Sequence, residues 1–236
     1  MEKSKDTFYG RYARLVILIA RFFSKKYEYP DAGAEGPVVY VCRHLDMHGP
    51  IEAIVNLPFP VHALTLHVFM DNKACEEHFS TYTFSTRVGK KAGFWRKLGA
   101  KVAGNAIAPL MRSLQAVPVY REGTESIKTM RQGVKYLEKG ESLIVWPDVE
   151  YTGDYGEDFD IYSGFLFMGE IYRKRTGKEL PFIPLVLDEE RGTIIRREAV
   201  FCNDFKQEEE RAAQLIKQGI DKRNVGESVN SVQVNL

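Results

Sequence analysis

The chain has little cysteine, no surplus of either charge and no apolar run long enough to cross a bilayer. Its three cysteines, Cys42, Cys75 and Cys202, stand far apart with no CxxC pair. That spacing argues against a disulfide framework and a thiolate metal site, and fits a reducing cytoplasm. Lys plus Arg number 33 against 32 Asp plus Glu, so no net field would draw a nucleic acid partner. There is no internal repeat and no low-complexity tract. What is present is ordinary for a folded protein: 236 residues, 44% apolar and 28% charged, enough for one large core, with no composition break to mark a second.

The N-terminal segment carries the apolar run Leu15 to Ala20, interrupted on both sides by Arg14 and Arg21. A spanning helix needs about 20 apolar residues, so this one is too short. The basic residues after the run also lack the small-residue site of a signal peptide. On a helix, Arg11, Arg14, Arg21 and Lys25 form one narrow stripe, and Leu15, Val16, Ile17, Ile19, Phe22 and Phe23 cover the remaining surface. Residues 1–29 are therefore expected to be an amphipathic helix lying in a membrane interface at the cytoplasmic face. A core helix with a solvated basic stripe is the competing reading.

Short apolar runs punctuate the rest of the chain: Pro37 to Cys42, Val61 to Leu66, Ala116 to Tyr120, Ser142 to Trp146, Phe182 to Leu187 and Thr193 to Phe201. Each reads as a strand. Between them lie helical patterns at Ile51 to Leu57, over most of Asp71 to Leu114 with Pro109 as a break or kink, after Gly123 as far as Gly140, from Ile161 to about Gly177, and at Glu208 to Lys222. Alternation of this kind predicts an α/β fold, a largely parallel mixed sheet with helices on both faces, over residues 30–223. The polar tail, residues 224–236, is expected to be disordered.

Open sheets of this class place ligands beyond their strand ends. Arg43-His44-Leu45-Asp46-Met47-His48 follows the first strand directly, and a histidine there can serve as a base near neutral pH. The same stretch allows His44, Asp46 and His48, at spacings of two, to hold a metal, which would make the protein a hydrolase. No second cluster forms around His62, His67 or His78 to complete such a signature.

Three further segments decide between these readings. Gln115 to Gly123 (QAVPVYREG) puts Arg121 past a strand end, Gly140 to Asp148 reads GESLIVWPD, and Phe182 to Val186 reads FIPLV. Together with the first strand and His44, these four blocks resemble, in order and from Val38 to Val186, those of the glycerolipid acyltransferase superfamily, the glycerol-phosphate and lysophosphatidate acyltransferases. The resemblance implies an acyltransferase-like fold. It also implies transfer of a fatty acyl group from acyl-CoA or acyl-carrier protein to a hydroxyl of a lysophospholipid or glycerol-phosphate-like acceptor, with no metal or other cofactor. His44 takes the place of the catalytic histidine, Arg121 of the second-block arginine, Pro147 and Pro184 of the third- and fourth-block prolines, and Asp148 of the third-block glutamate. Arg43, Arg121, Pro147, Asp148 and Glu150 are then the expected substrate-binding residues, Arg121 suiting a phosphate through its planar fork.

The blocks also depart from the pattern. Gly49 stands where the superfamily has aspartate, and Val149, Glu150 and Tyr151 replace Gly, Thr and Arg. An imidazole base needs an acceptor on its second nitrogen. Asp46 is the expected replacement, being in the same turn, with Asp148, Glu150 and a backbone carbonyl as alternatives. A catalytically degenerate lipid-binding relative is the other reading of these changes.

Overall fold

The apolar run after Pro37 becomes a strand in which every residue is buried, β1 (Val39–Cys42). A strand covered on both faces has no polar side to alternate with, which is why such runs read as continuous apolar stretches. In the computed structural model, which describes residues 4–30, 36–45, 48–83, 93–120, 125–149 and 159–223, β1 lies inside a six-stranded sheet. Its other strands are β2 (His62–Leu66), β3 (Val117–Val119), β4 (Leu143–Val145), β5 (Phe182–Asp188) and β6 (Thr193–Arg196), in the order β3-β2-β4-β1-β5-β6. All neighbours run parallel except β5 and β6, which are antiparallel. The chain is thus α/β with a mostly parallel sheet.

Alternate residues of β1 feed two separate cores. Tyr40 and Cys42 join Ala53 and Ile54 of α3 (His48–Asn56), with Phe8, Tyr9, Ala13 and Ile17 from the N-terminus. Val39 and Val41 join Met130 and Val134 of α6 (Glu125–Leu137), Met168 and Tyr172 of α7 (Phe167–Thr176) and Ile216 of α8 (Phe205–Ile220). Among the described residues the remaining α-helices are α1 (Lys5–Phe8), α2 (Arg11–Phe23), α4 (Asn72–His78) and α5 (Gly93–Ser113). Chain leaving β1 therefore passes to α3 on one face, whereas chain leaving the adjacent β4 passes to α7 on the other. That divergence makes the crevice beyond the ends of β1 and β4 a topological switch point.

Several boundaries differ from the sequence expectation, among them the helix read from Ile161, which starts at Phe167 after a 3-10 turn because Ile161 is bridged to Asp148. α3 starts at His48 rather than Ile51, because Pro50 falls in the first turn, where no helix partner needs its N–H. α5 runs on through Pro109 instead of breaking there. The carbonyl deprived of a donor belongs to Asn105, an exposed residue, so water can satisfy it. β6 stops at Arg196, because Pro184 accepts from Arg197 N–H but has no N–H to return. The pairing resumes only at Val200 opposite Phe182, one residue longer on that side, as at a β-bulge. The Pro184 ring is itself fixed from the far side: a Cβ on Gly219 of α8 would lie 2.6 Å from it.

The N-terminal helices are anchored to this core. Tyr9, almost fully buried, donates its hydroxyl to the Val61 carbonyl and accepts from Val61 N–H, both at 3.0 Å. Ala13 and Ile17 are the buried residues of α2, while Leu15, Leu18, Ile19, Phe22 and Phe23 point outward. Among the described residues no helix is long and apolar enough to cross a membrane. The tail expected to be disordered lies outside the described residues.

Candidate functional site

Because β1 and β4 are parallel neighbours, with Val41 opposite Val145, their C-terminal extensions emerge side by side. Arg43 and His44 leave one strand, Trp146, Pro147 and Asp148 the other. Asp148 reaches across the gap. Its Oδ2 accepts from the His44 backbone N–H at 2.7 Å and its Oδ1 from Arg43 Nε at 3.4 Å. Both side chains of the Arg43–Asp148 pair are buried, at 10% and 2% exposure. Burial of that degree demands pairing, since an isolated charge in such a place costs several kcal/mol. The Arg43 guanidinium also lies 3.9 Å from the centre of the Phe159 ring, a cation–π arrangement.

Asp148 is held from its own side as well. Val149 N–H donates to Asp160 and Tyr162 N–H to Pro147, closing a short antiparallel bridge between Asp148 and Ile161. From α8, Lys217 pairs with Asp160 at 3.2 Å and approaches the Phe159 ring. Just beyond that helix, burial tends to raise the Asp221 carboxyl, but hydrogen bonds and charge from Arg223, with the charge of Arg43 behind them, outweigh it and hold the group below its ordinary value. The strand-end crevice therefore rests on alternating acids and arginines.

The turn carrying His44 is tight. Leu45 has φ of +46°, rare for a side-chain-bearing residue and strained by about 1–3 kcal/mol. His48 N–H donates to the Leu45 carbonyl, and Gly49 N–H to the His44 carbonyl at 3.0 Å. A Cβ on Gly49 would stand 2.2 Å from the Arg43 carbonyl oxygen and 2.5 Å from that of His44. Both obstacles are backbone, so no aspartate fits at this position without moving the turn. His44 is half-buried at the crevice, and His48, at the start of α3, is exposed. Cys42 beneath them is no nucleophile: burial first, then the charge of Asp148, pushes its thiol up to about 12.

Of the residues singled out in the sequence, the fold brings together Arg43, His44, Pro147 and Asp148. Asp46, Arg121 and Glu150 lie outside the described residues, so their side chains are not placed. The described end of the second block, Tyr120, follows the edge strand β3, separated from β1 by β2 and β4. Pro184 sits on β5 opposite Val41, flanking β1 on its other side. No family model matches this chain, and neither a curated protein nor a solved structure matches it.

Sequence reasoning did not foresee Phe159, Asp221 or Arg223 beneath the crevice, since nothing in their spacing links them to Arg43. It weighed His62 only as a metal ligand, whereas the structure makes it a fully buried ring at the start of β2. His62 Nδ1 faces the Gln115 carbonyl at 2.8 Å and Nε2 the Glu141 carboxylate at 3.0 Å, with Tyr136 stacked 3.8 Å away. This group joins strand starts at the end of the sheet opposite His44, where it ties β2 to the turns before β3 and β4. Among the described residues, no cluster of three or more His, Cys, Asp or Glu is arranged to hold a metal ion.

Proposed function

We propose that the protein is an acyltransferase working at a membrane surface, moving a fatty acyl group from a thioester donor, acyl-CoA or acyl-carrier protein, to a hydroxyl of a lysophospholipid or glycerol-phosphate-like acceptor. One observation carries this reading. Three of the four sequence blocks lie on adjacent parallel strands β4, β1 and β5, with Val145 and Pro184 both opposite Val41, so that His44 stands at a switch-point crevice.

In this mechanism the His44 imidazole accepts the acceptor's hydroxyl proton as the oxygen attacks the thioester carbonyl. The tetrahedral intermediate collapses by breaking the C–S bond, and the imidazolium returns the proton to the departing thiolate. Asp148 acts at least by position: it fixes the backbone of His44 and pairs with Arg43, and both stay among the residues proposed to meet the substrate with Pro147 and Glu150. Arg121 is the residue proposed for the acceptor phosphate, and Asp46, in the turn after His44, the carboxylate proposed to orient the ring. The outward apolar residues of α2, with Arg11, Arg14, Arg21 and Lys25 along the same segment, are the surface proposed to rest on lipid.

A second reading is favoured by one specific feature. With Gly49 wedged against backbone, the acid–histidine pair of the superfamily cannot be rebuilt at its usual place, as expected of a relative that binds lipid without turnover. Purified protein incubated with acyl-CoA and a panel of lysolipids and glycerol phosphate, with and without chelator, separates these readings. Thioester-dependent product that survives chelation and vanishes in His44→Ala supports acyl transfer; binding without product supports the second reading; metal-dependent hydrolysis contradicts both.

A further inference from the structure

The last turn of α2 exposes two adjacent phenylalanines, Phe22 at 81% and Phe23 at 86%. Exposure on this scale costs hydration free energy unless something apolar covers the rings. Leu15, Leu18 and Ile19 continue the outward apolar surface along the same helix. Next to the phenylalanines, where the chain leaves α2 alongside the last residues of α3, lies a cleft of about 250 Å³ lined by Arg21, Ser24, Lys25, Lys26, Val55 and Asn56.

The cleft is preformed. Asn56 Nδ2 donates to the Lys25 and Glu52 carbonyls and its Oδ1 accepts from Tyr27 N–H. Lys25 N–H in turn reaches the Glu52 carboxylate at 3.2 Å. Glu52, beside the cleft, is itself buried, with its oxygens taken by Lys25 N–H and Asn56, and the exposed Lys25 ammonium rests on the Glu189 carbonyl. Lys5, which caps the Ile54 and Val55 carbonyls beside the cleft, is lowered to about 8, by burial first and then by the charge of Arg21.

We infer that this corner is a docking site for anionic phospholipid in a bilayer, with the headgroup phosphate held in the Arg21, Lys25 and Lys26 cleft while Phe22 and Phe23 enter the acyl boundary below it. The inference extends the membrane placement proposed above. Its support is the side-by-side arrangement of charge and apolar surface, which matches a layered medium with phosphate above hydrocarbon. A free phosphate would complement the cations but leave both phenylalanines in water.

The test is vesicle flotation without any acyl donor, so the outcome is independent of turnover. Phosphatidylcholine vesicles are compared with the same vesicles containing phosphatidate. The parent protein should prefer the anionic vesicles. Arg21→Gln/Lys25→Gln/Lys26→Gln should erase most of that preference, at about 5-fold per charge or roughly a hundredfold together. Phe22→Ser/Phe23→Ser should weaken binding to both vesicle types. All these side chains except part of the cleft floor are exposed, so unchanged thermal unfolding should accompany each variant. Undiminished anionic preference in the triple variant overturns the inference. So does displacement of the protein from vesicles by millimolar glycerol phosphate, which would mark a soluble-anion site, or a dimer in light scattering that the phenylalanine variant dissolves.

Discussion

Asp148→Asn is the substitution that the strand-end geometry predicts most sharply. It keeps side-chain volume, so no cavity opens, and removes only charge and acceptor capacity. Losing one partner of a buried ion pair typically costs about 3–5 kcal/mol, because the other charge stays behind. Here the Arg43 Nε–Oδ1 separation of 3.4 Å is longer than a good hydrogen bond. Arg43 also retains the Phe159 ring face and the field of Asp221. The cost should therefore fall at or just below the lower limit of that range, about 2–3 kcal/mol, which for a chain of this size lowers Tm by about 4–12 °C. The Asn amide can keep its oxygen toward His44 N–H only by turning its NH2 group on Arg43. Thermal unfolding of Asp148→Asn, Arg43→Met and the double variant measures the coupling. The double variant should be less destabilised than the sum of the singles by about 0.5–3 kcal/mol. A Tm within error of the parent for Asp148→Asn, or strict additivity, would refute the claim that this pair secures the His44 turn.

Other outcomes follow from the same structure. Gly49→Asp, which restores the superfamily's residue, should lower stability by about 1–3 kcal/mol or more through backbone overlap and lower activity rather than raise it; a variant as stable as the parent would show that the turn can move. Lys5 binds its proton less tightly folded than unfolded, so between about 8 and its ordinary value near 10.5 the unfolded state carries more protons and stability should rise with pH. Urea unfolding across that window should show the rise in the parent and a flatter profile in Lys5→Met. Cys42, raised to about 12 and fully buried, should resist thiol reagents until the protein unfolds; modification under native conditions would contradict its packing.

Five of the six strands could be read closely from sequence, because parallel strands buried on both faces must be continuous apolar runs. The sixth was overextended, since the effect of Pro184 on its neighbour depends on which strand comes to lie beside β5. The juxtaposition of His44 and Asp148 depended equally on pairing. Nothing local in GESLIVWPD shows that its strand inserts between β2 and β1. At the N-terminus the helical periodicity of α2 was legible, but Ile17, read with the outward apolar surface, is buried in the core and Arg14 is half-buried. The seating of Phe8 and Tyr9 was not legible, because Tyr9 is fixed by the backbone of Val61, a contact distant in sequence. Gly49 was visible as a missing acid, but the steric reason for it appears only when the Arg43 and His44 carbonyls are placed against it.

The central claim is that His44 takes a proton from an acceptor hydroxyl at the β1–β4 crevice. Its most direct test is the rate of acyl transfer from acyl-CoA to lysophosphatidate by the parent protein and by His44→Ala and Asp46→Asn, in the presence of chelator. The account predicts product with the parent, none with His44→Ala, and a loss of at least ~10²-fold with Asp46→Asn at unchanged substrate binding. Transfer that persists in His44→Ala would contradict it.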